Sequence, residues 1–291
     1  MDRVVALPWE LGWALTRRAP EPVARAVFGL AADLAWRRRG DGVRRLERNL
    51  TRACPGLDEA GLRALSRRAM RSYLRYWREV FRLPAWTDEQ IAGAVVIEGE
   101  HILHDAFARD AGVVMALPHT ANWDLAGAWV ARAFVPLTTV AERLRPERLF
   151  GRFADYRRRL GIEVLPLTGA GQSAFSVLLR RARAGGLVCL VADRDLSATG
   201  VTVDLLGEPA MLPAGPAMLA RSAGAALLPI TSSYDGALMR IRVHEPVPPA
   251  PGRDGLRQMT QRVADAFTEG IRAHPADWHM LQRVFVADRR P

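Results

Sequence analysis

The sequence predicts an α/β protein: a central, mostly parallel sheet flanked by helices, preceded by a helical N-terminal extension. Three observations lead there. Short, continuously apolar runs at 112–117 and 187–192 are too brief for stable helices and read as buried strands. From Val95 onward, such runs alternate with segments of helical spacing, the pattern of βαβ units. Before Pro84 only helical spacing is found. With 291 residues, 49% of them hydrophobic, the chain can bury a full core. The expected organisation is one integrated domain with a helical, membrane-associating part at 1–84 and an α/β core at 85–291.

Residues 4–18 and 22–39 read as two helices split by Ala19-Pro20-Glu21-Pro22, with Trp9 and Trp13 one turn apart on a shared face. Arg17 and Arg18 close the first helix, and Arg37, Arg38 and Arg39 close the second after Trp36. Tryptophan beside arginine suits the lipid headgroup boundary, where an amphipathic helix buries its apolar face. The same faces could instead pack on the rest of the chain, with the arginines complementing helix C-termini. Helices continue over 43–83, with Cys54-Pro55-Gly56 as a turn.

Val95-Val96-Ile97 starts the α/β region, and the helix after it carries His101 and His104. These two have no companion ligands, so no metal site is expected. The run 112–117 then delivers His119 to a strand-to-helix turn, with Asn122 as a candidate N-cap of a helix over 124–134. Residues 137–141 form the next strand, ending beside Glu142 and Arg143, and the following helix carries Arg157, Arg158 and Arg159. A strand at 162–167 leads to Thr168-Gly169-Ala170-Gly171-Gln172-Ser173. That loop could hold a phosphate at a helix N-terminus, although it lacks the Gly-Lys-Ser/Thr ending of a P-loop and equally reads as a plain turn. The strand 187–192 ends in Asp193-Arg194-Asp195, three charges that must pair or act. A helix near Gly215-Pro216, strands at 225–231 and 239–243, a helix over 256–273 and the segment Asp277-Trp278-His279-Met280-Leu281-Gln282 complete the chain.

The net charge is +10, and every basic residue is an arginine. An excess of this size favours anionic partners, whether phosphorylated small molecules, lipid surfaces or nucleic acid. No zinc-finger, basic-zipper or RNA-binding aromatic pattern is present, so nucleic acid is not expected. Cys54 and Cys189 lack metal-ligand spacing and read as free thiols in a reducing compartment. With no secretory pattern and no long uncharged apolar run, a membrane role would be peripheral.

His119 stands where α/β sheets bind ligands, at the carboxyl end of a strand, and an imidazole there can act as a general base. A base of this kind needs a carboxylate to fix its tautomer. Asp124 is nearest in sequence, but residues five apart in one helix diverge by about 140°, so the two meet only if His119 precedes the helix. Asp193 and Asp195, at the end of another strand, are the other candidates. A plain turn histidine beside a helix-capping aspartate would look the same at this level.

His119 with Asp124 resembles the H-x-x-x-x-D/E motif of glycerolipid and lipid A type acyltransferases. The wider pattern is more specific: His119-Thr120-Ala121-Asn122-Trp123-Asp124, Asp193-Arg194-Asp195-Leu196 with Gly200, Gly207-Glu208, Gly215-Pro216 and Trp278-His279-Met280-Leu281. Together these resemble the lipid A lauroyl-type branch. Within that branch they resemble the actinobacterial phosphatidylinositol mannoside acyltransferases, which Ser72-Tyr73-Leu74-Arg75-Tyr76-Trp77-Arg78-Glu79 also fits. The resemblance spans nearly the whole chain.

It implies a glycerol-3-phosphate acyltransferase-like fold. The implied reaction transfers an acyl group from acyl-CoA to a mannose hydroxyl of a phosphatidylinositol mannoside, at the cytoplasmic face of the plasma membrane. His119 would be the general base and Asp193 its partner, at a position where glutamate would be expected; Asp124 joins them in the catalytic set. Glu142 and Arg157 match positions lining the polar site, and Arg157 and Arg194 would meet the lipid phosphate. Acyl-CoA is implied as co-substrate, with no cofactor and no metal. A thioesterase at the same site, or a different glycolipid acceptor, would share these features.

Overall fold

A computed structural model of the chain describes residues 12–288 apart from 14, 110, 143–146, 168–172, 196–199 and 253, with the backbone alone for 147–150. The glycine-rich loop at 168–172 and Trp9 therefore lie outside the described residues.

Helical residues at 12–13 and 15–18 precede three helices: α1 (Glu21–Arg38), α2 (Asp41–Ala53) and α3 (Glu59–Arg82). Proline opens α1, and the Asp58 side chain caps α3 by accepting from the Gly61 N–H at 2.7 Å. Ala32, Leu46, Leu50, Leu65 and Met70 join the three helices in a small core of their own. The far end of α3 leaves that core, and Tyr76, Val80 and Phe81 pack against the sheet domain. Trp13 turns inward onto Phe81, Phe153 and Tyr156, while Trp36 donates to Ser66 Oγ at 3.0 Å beneath the Arg63 guanidinium. These two tryptophans are thus packing residues. The outward side of α1 carries a different apolar set, Val23, Val27, Leu30 and Leu34, each about half exposed or more.

After the short helix α4 (Asp88–Gly93), strands and helices alternate: β1 (Val95–Glu98), α5 (Glu100–Phe107), β2 (Val113–Leu117), α6 (Trp123–Ala133), β3 (Leu137–Ala141), α7 (Glu147–Arg159), β4 (Ile162–Pro166), α8 (Ala174–Arg183) and β5 (Leu187–Val191). A two-stranded hairpin, β6 (Val201–Leu205) with β7 (Glu208–Leu212), follows. Helix α9 (Gly215–Ala223), strands β8 (Ala226–Asp235) and β9 (Leu238–Val243), and helix α10 (Gly255–Ala273) complete the set. The main sheet has seven strands in the order β1-β9-β8-β2-β5-β3-β4, all paired in parallel except β8 with β9.

Side chains of β2 alternate between the two faces, as the strand period requires. Val114 and Ala116 pack with Leu219, Phe267 and Ile271 of α9 and α10; Val113 and Met115 pack with Leu103 and Leu125 of α5 and α6. A sheet buried on both faces explains why β2 and β5 read as unbroken apolar runs. Among the described residues no helix is long and apolar enough to cross a membrane.

Two features depart from the sequence reading. The hairpin β6–β7 was not anticipated, because Val201-Thr202-Val203 is short and its turn, Leu206-Gly207, breaks the helix-after-strand rhythm. Strand β8 also runs on to Asp235, past the expected end at Thr231, and returns through Gly236-Ala237 as the antiparallel pair of the mostly parallel sheet.

Candidate active site

Strands β2 and β5 are adjacent, parallel and in register, with Leu117 opposite Val191 and the Ala192 N–H donating to Leu117 O at 2.8 Å. His119 and Asp193, each two residues beyond those ends, are therefore lateral neighbours. The His119 ring lies 2.6 Å from Asp193 Oδ1 through Nδ1, and the His119 backbone N–H donates to Oδ2 at 2.9 Å. A third donor, Trp278 Nε1–H, reaches Oδ2 at 2.9 Å.

Asp193 is fully buried. Burial alone would raise its carboxyl pKa, but the His119 ring, the His119 backbone and the Trp278 indole overcome this and hold it below the usual carboxylate range. An ionised, acceptor-only carboxylate requires the proton on His119 Nδ1, which leaves Nε2 with its lone pair. The ring is 31% exposed. It meets the edge of Trp123 at 5.1 Å between centroids.

The turn after His119 is shaped by one left-handed residue. Ala121 has φ 46°, which costs about 1 kcal/mol for a residue with a Cβ. Its N–H donates to Asp277 O at 2.9 Å. The next residue, Asn122, is free to cap α6 by accepting from the Leu125 N–H at 3.0 Å, while its Nδ2 donates to Glu79 Oε2 at 3.0 Å. Residues 277–280 strap this turn from above. Thr120 bridges Trp278, the His279 N–H donates to His119 O at 2.8 Å, and Asn49 Nδ2 of α2 holds Met280 O at 2.8 Å.

Asp124 does not reach His119. It is the second residue of α6 and is gripped by the Arg157 fork at 2.6 and 3.1 Å, with Tyr76 OH donating at 3.0 Å. His119 does precede α6, the arrangement that would have let the two meet, yet Asp124 is held on the Arg157 side. Arg157 is thereby committed to Asp124 and is not a free phosphate ligand. The pair raises the Arg157 guanidinium pKa even though burial acts to lower it. Asp195 accepts from the Gly200 N–H at 3.1 Å, so it braces its loop and does not orient His119. Arg194 and Glu142 face each other at 3.6 Å near the rim.

Two spaces meet at Trp123. One is an aromatic cup with Tyr73, Tyr76, Trp77 and His279 around His119, and Arg194 at its edge. The other is an apolar slot between α6 and the sheet, lined by Met115, Leu117, Val130, Cys189 and Ile230, with Asp124 and Arg157 as its polar part. Burial pushes the Cys189 thiol up to about 12, so it contributes as a small apolar group and not as a nucleophile. Among the described residues no group of three His, Cys, Asp or Glu side chains could hold a metal, and His101 and His104 stand exposed on α5.

His279 is buried beside the cup, with Nε2 2.9 Å from Ser72 Oγ, which donates to Asp277 Oδ1 at 2.6 Å. Burial lowers its pKa from 6.5 to about 3. Between those values the unfolded chain takes up a proton that the folded chain refuses. The contribution of His279 to stability is therefore complete above pH 6.5 and is lost as pH falls toward 3, by up to about 1.4 kcal/mol per unit. Urea unfolding from neutral pH down to about pH 5 should show this slope in the parent and a shallower one in His279→Gln.

The sequence points to His119 and Asp193 and carries the residues of the frame that holds them only as separate motifs. Trp278, Asn122, Glu79 and Tyr76 come from distant parts of the chain, and no spacing announces their meeting.

A histidine held by a buried carboxylate thus stands at the carboxyl edge of a mostly parallel sheet, five residues before an arginine-bound aspartate. The family model for bacterial lipid A biosynthesis acyltransferases matches residues 9–286, and the chain belongs to that family. It is similar to a phosphatidylinositol mannoside acyltransferase of Mycolicibacterium smegmatis, 44% identical over 289 residues that cover 98% of this chain and 93% of the relative. A phosphatidylinositol mannoside acyltransferase of Mycobacterium tuberculosis H37Rv is 44% identical over 279 residues, covering 95% and 87% respectively.

Proposed function

We propose that this protein transfers a long acyl chain from acyl-CoA to a mannose hydroxyl of a phosphatidylinositol mannoside, with His119 as general base. The observation that carries the reading is the His119–Asp193 pair, with His119 lining the aromatic cup against Trp123, the residue that the cup shares with the apolar slot. The acceptor follows the mycobacterial relatives, which bear that name. In the reaction, His119 Nε2 takes the proton of the attacking hydroxyl as its oxygen bonds to the thioester carbonyl carbon. The carbon–sulfur bond then breaks, and the same proton passes from His119 to the departing thiolate. Asp193 stays ionised and supports the imidazolium formed between the two transfers. The aromatic cup suits a sugar ring, the slot under α6 suits the acyl chain, and Arg194 with Glu142 suits the polar headgroup.

Membrane attachment is part of the same proposal, at the cytoplasmic face of the plasma membrane. Val23, Val27, Leu30 and Leu34 form an exposed stripe at helical spacing on α1, with Arg37 and Arg38 in its last turn. Replacing both Val27 and Leu30 with aspartate removes two apolar anchors, each worth about 1.5 kcal/mol or more when buried. Co-sedimentation with vesicles containing anionic lipid should then fall about tenfold or more, while the thermal midpoint stays near the parent's.

The test of the reaction is an assay with labelled palmitoyl-CoA and a phosphatidylinositol mannoside, counting acylated lipid and free fatty acid separately. Acylated lipid accumulating with released CoA is the expected result. Release of fatty acid alone would replace this reading with a thioesterase.

A further inference from the structure

On the face of α3 opposite the aromatic cup lies a cavity of about 510 Å³, between α1, α3 and the β8–β9 turn. Its walls carry the guanidinium groups of Arg25, Arg71, Arg75, Arg78 and Arg82, with Glu21 and Glu79 as the carboxylates that line it. Most of these cations are occupied. Arg71 forks onto Asp33 at 2.8 and 2.7 Å. Arg75 holds Glu79 Oε1 at 2.7 Å and the Gly236 and Ala237 carbonyls, stacked over Tyr234. Arg82 donates to Thr16 O and Ala19 O at 2.9 and 2.7 Å.

Arg78 is the exception. Its side chain is 9% exposed, and its nearest carboxylate oxygens, on Glu21 and Glu79, stand off at 3.5 and 3.6 Å. Its Nε is buried with no hydrogen-bond partner among the described residues. Glu21 is shared with Arg25 at 3.5 Å and Arg82 at 3.3 Å, and Glu79 already accepts from Arg75, Asn122 and Tyr234. A buried guanidinium left this way is costly unless something else completes it.

We infer that this cavity is an anion site, in which a phosphate group binds the terminal nitrogens of Arg78 and supplies the close counter-charge that Glu21 and Glu79 do not. Phosphate fits for two reasons. The guanidinium fork matches its oxygens, and a dianion offsets the surplus positive charge on these walls. The space exceeds a bare phosphate, so the group could come either from a lipid headgroup or from a small soluble phosphate. Burial also acts to lower the Arg78 pKa, with Glu21 and Glu79 opposing, as expected of a cation whose counter-charge is incomplete. Occupancy would be felt at the catalytic turn through Glu79, whose Oε2 holds the Asn122 that caps α6.

The site is tested without any activity assay. Thermal midpoints and calorimetric titrations are compared for parent and Arg78→Met with inorganic phosphate, at ionic strength held constant with chloride. The parent should be stabilised saturably and Arg78→Met should not respond. Arg78→Met should itself melt no lower than the parent, because it removes an uncompensated charge. Arg78→Lys, which keeps the charge and loses the fork, should bind phosphate about tenfold more weakly and serves if the methionine variant fails to fold. Glycerophosphoinositol separates the sources. Binding about tenfold tighter than phosphate assigns the site to a lipid headgroup, and equal or weaker binding assigns it to a soluble phosphate. A parent without a saturable response, or an undiminished response in the folded variants, overturns the inference.

Discussion

Asp193→Asn should lower kcat for acyl transfer by about 10³ to 10⁴, with KM little changed. The substitution keeps the shape of the side chain and removes its charge. A carboxylate accepts at once from the His119 ring, the His119 backbone and the Trp278 indole. An amide has one acceptor oxygen and presents an NH₂ group to the remaining donors, so the ring is driven to carry its proton on Nε2, the atom that must be free. His119→Ala removes the proposed base and should lower the rate by about 10² to 10⁴. Because the two residues act as one unit, the double variant should be little worse than either single variant. Single-turnover measurements on folded protein check all three, and a full rate in Asp193→Asn would remove His119 from the role of base.

Arg157→Met should destabilise the protein by about 3–5 kcal/mol, a large part of the stability of an ordinary domain. The reason is what it leaves behind. Asp124 is 2% exposed and would be left with the Tyr76 hydroxyl as its remaining donor among the described residues. Breaking the pair from one side is the expensive change; removing both charges in Arg157→Met with Asp124→Leu should recover most of the loss. Urea unfolding of the two variants measures the difference. An Arg157→Met protein of parental stability that instead binds the lipid acceptor poorly would return Arg157 to the role of phosphate ligand.

How much of this was legible in the sequence depends on how local each signal is. The strands β2 and β5 were readable because burial on both faces leaves an unbroken apolar run, and their charged endings drew attention to His119 and Asp193. Their partnership follows from register, which a sequence does not print but which parallel neighbours impose once their order is known. The role of Asp124 was half readable. Its spacing left contact with His119 open once His119 preceded the helix, and nothing in the spacing of Arg157, on a different helix, named it as the partner. The inward turn of Trp13 and Trp36 was not readable either. A tryptophan beside arginines looks alike at a lipid boundary and on a helix seam, and the exposed apolar stripe of α1 turned out to consist of valines and leucines. The C-terminal strap was visible as a motif and invisible as a contact, since Trp278 and Asp193 are 85 positions apart.

That strap also bears on when the active site comes into being. During synthesis β2 and β5 emerge together with His119 and Asp193, so both members of the pair exist while the ribosome is still adding later residues. The indole that completes the carboxylate's set of donors, the carbonyl that receives the Ala121 N–H and the amide that holds His119 O all belong to residues 277–279. A nascent chain lacking them carries the reactive groups without the frame that aligns them. Acyl transfer should therefore appear abruptly once residues 277–279 are in place, and a chain cut short just before residue 277 should be silent however much of its sheet has formed.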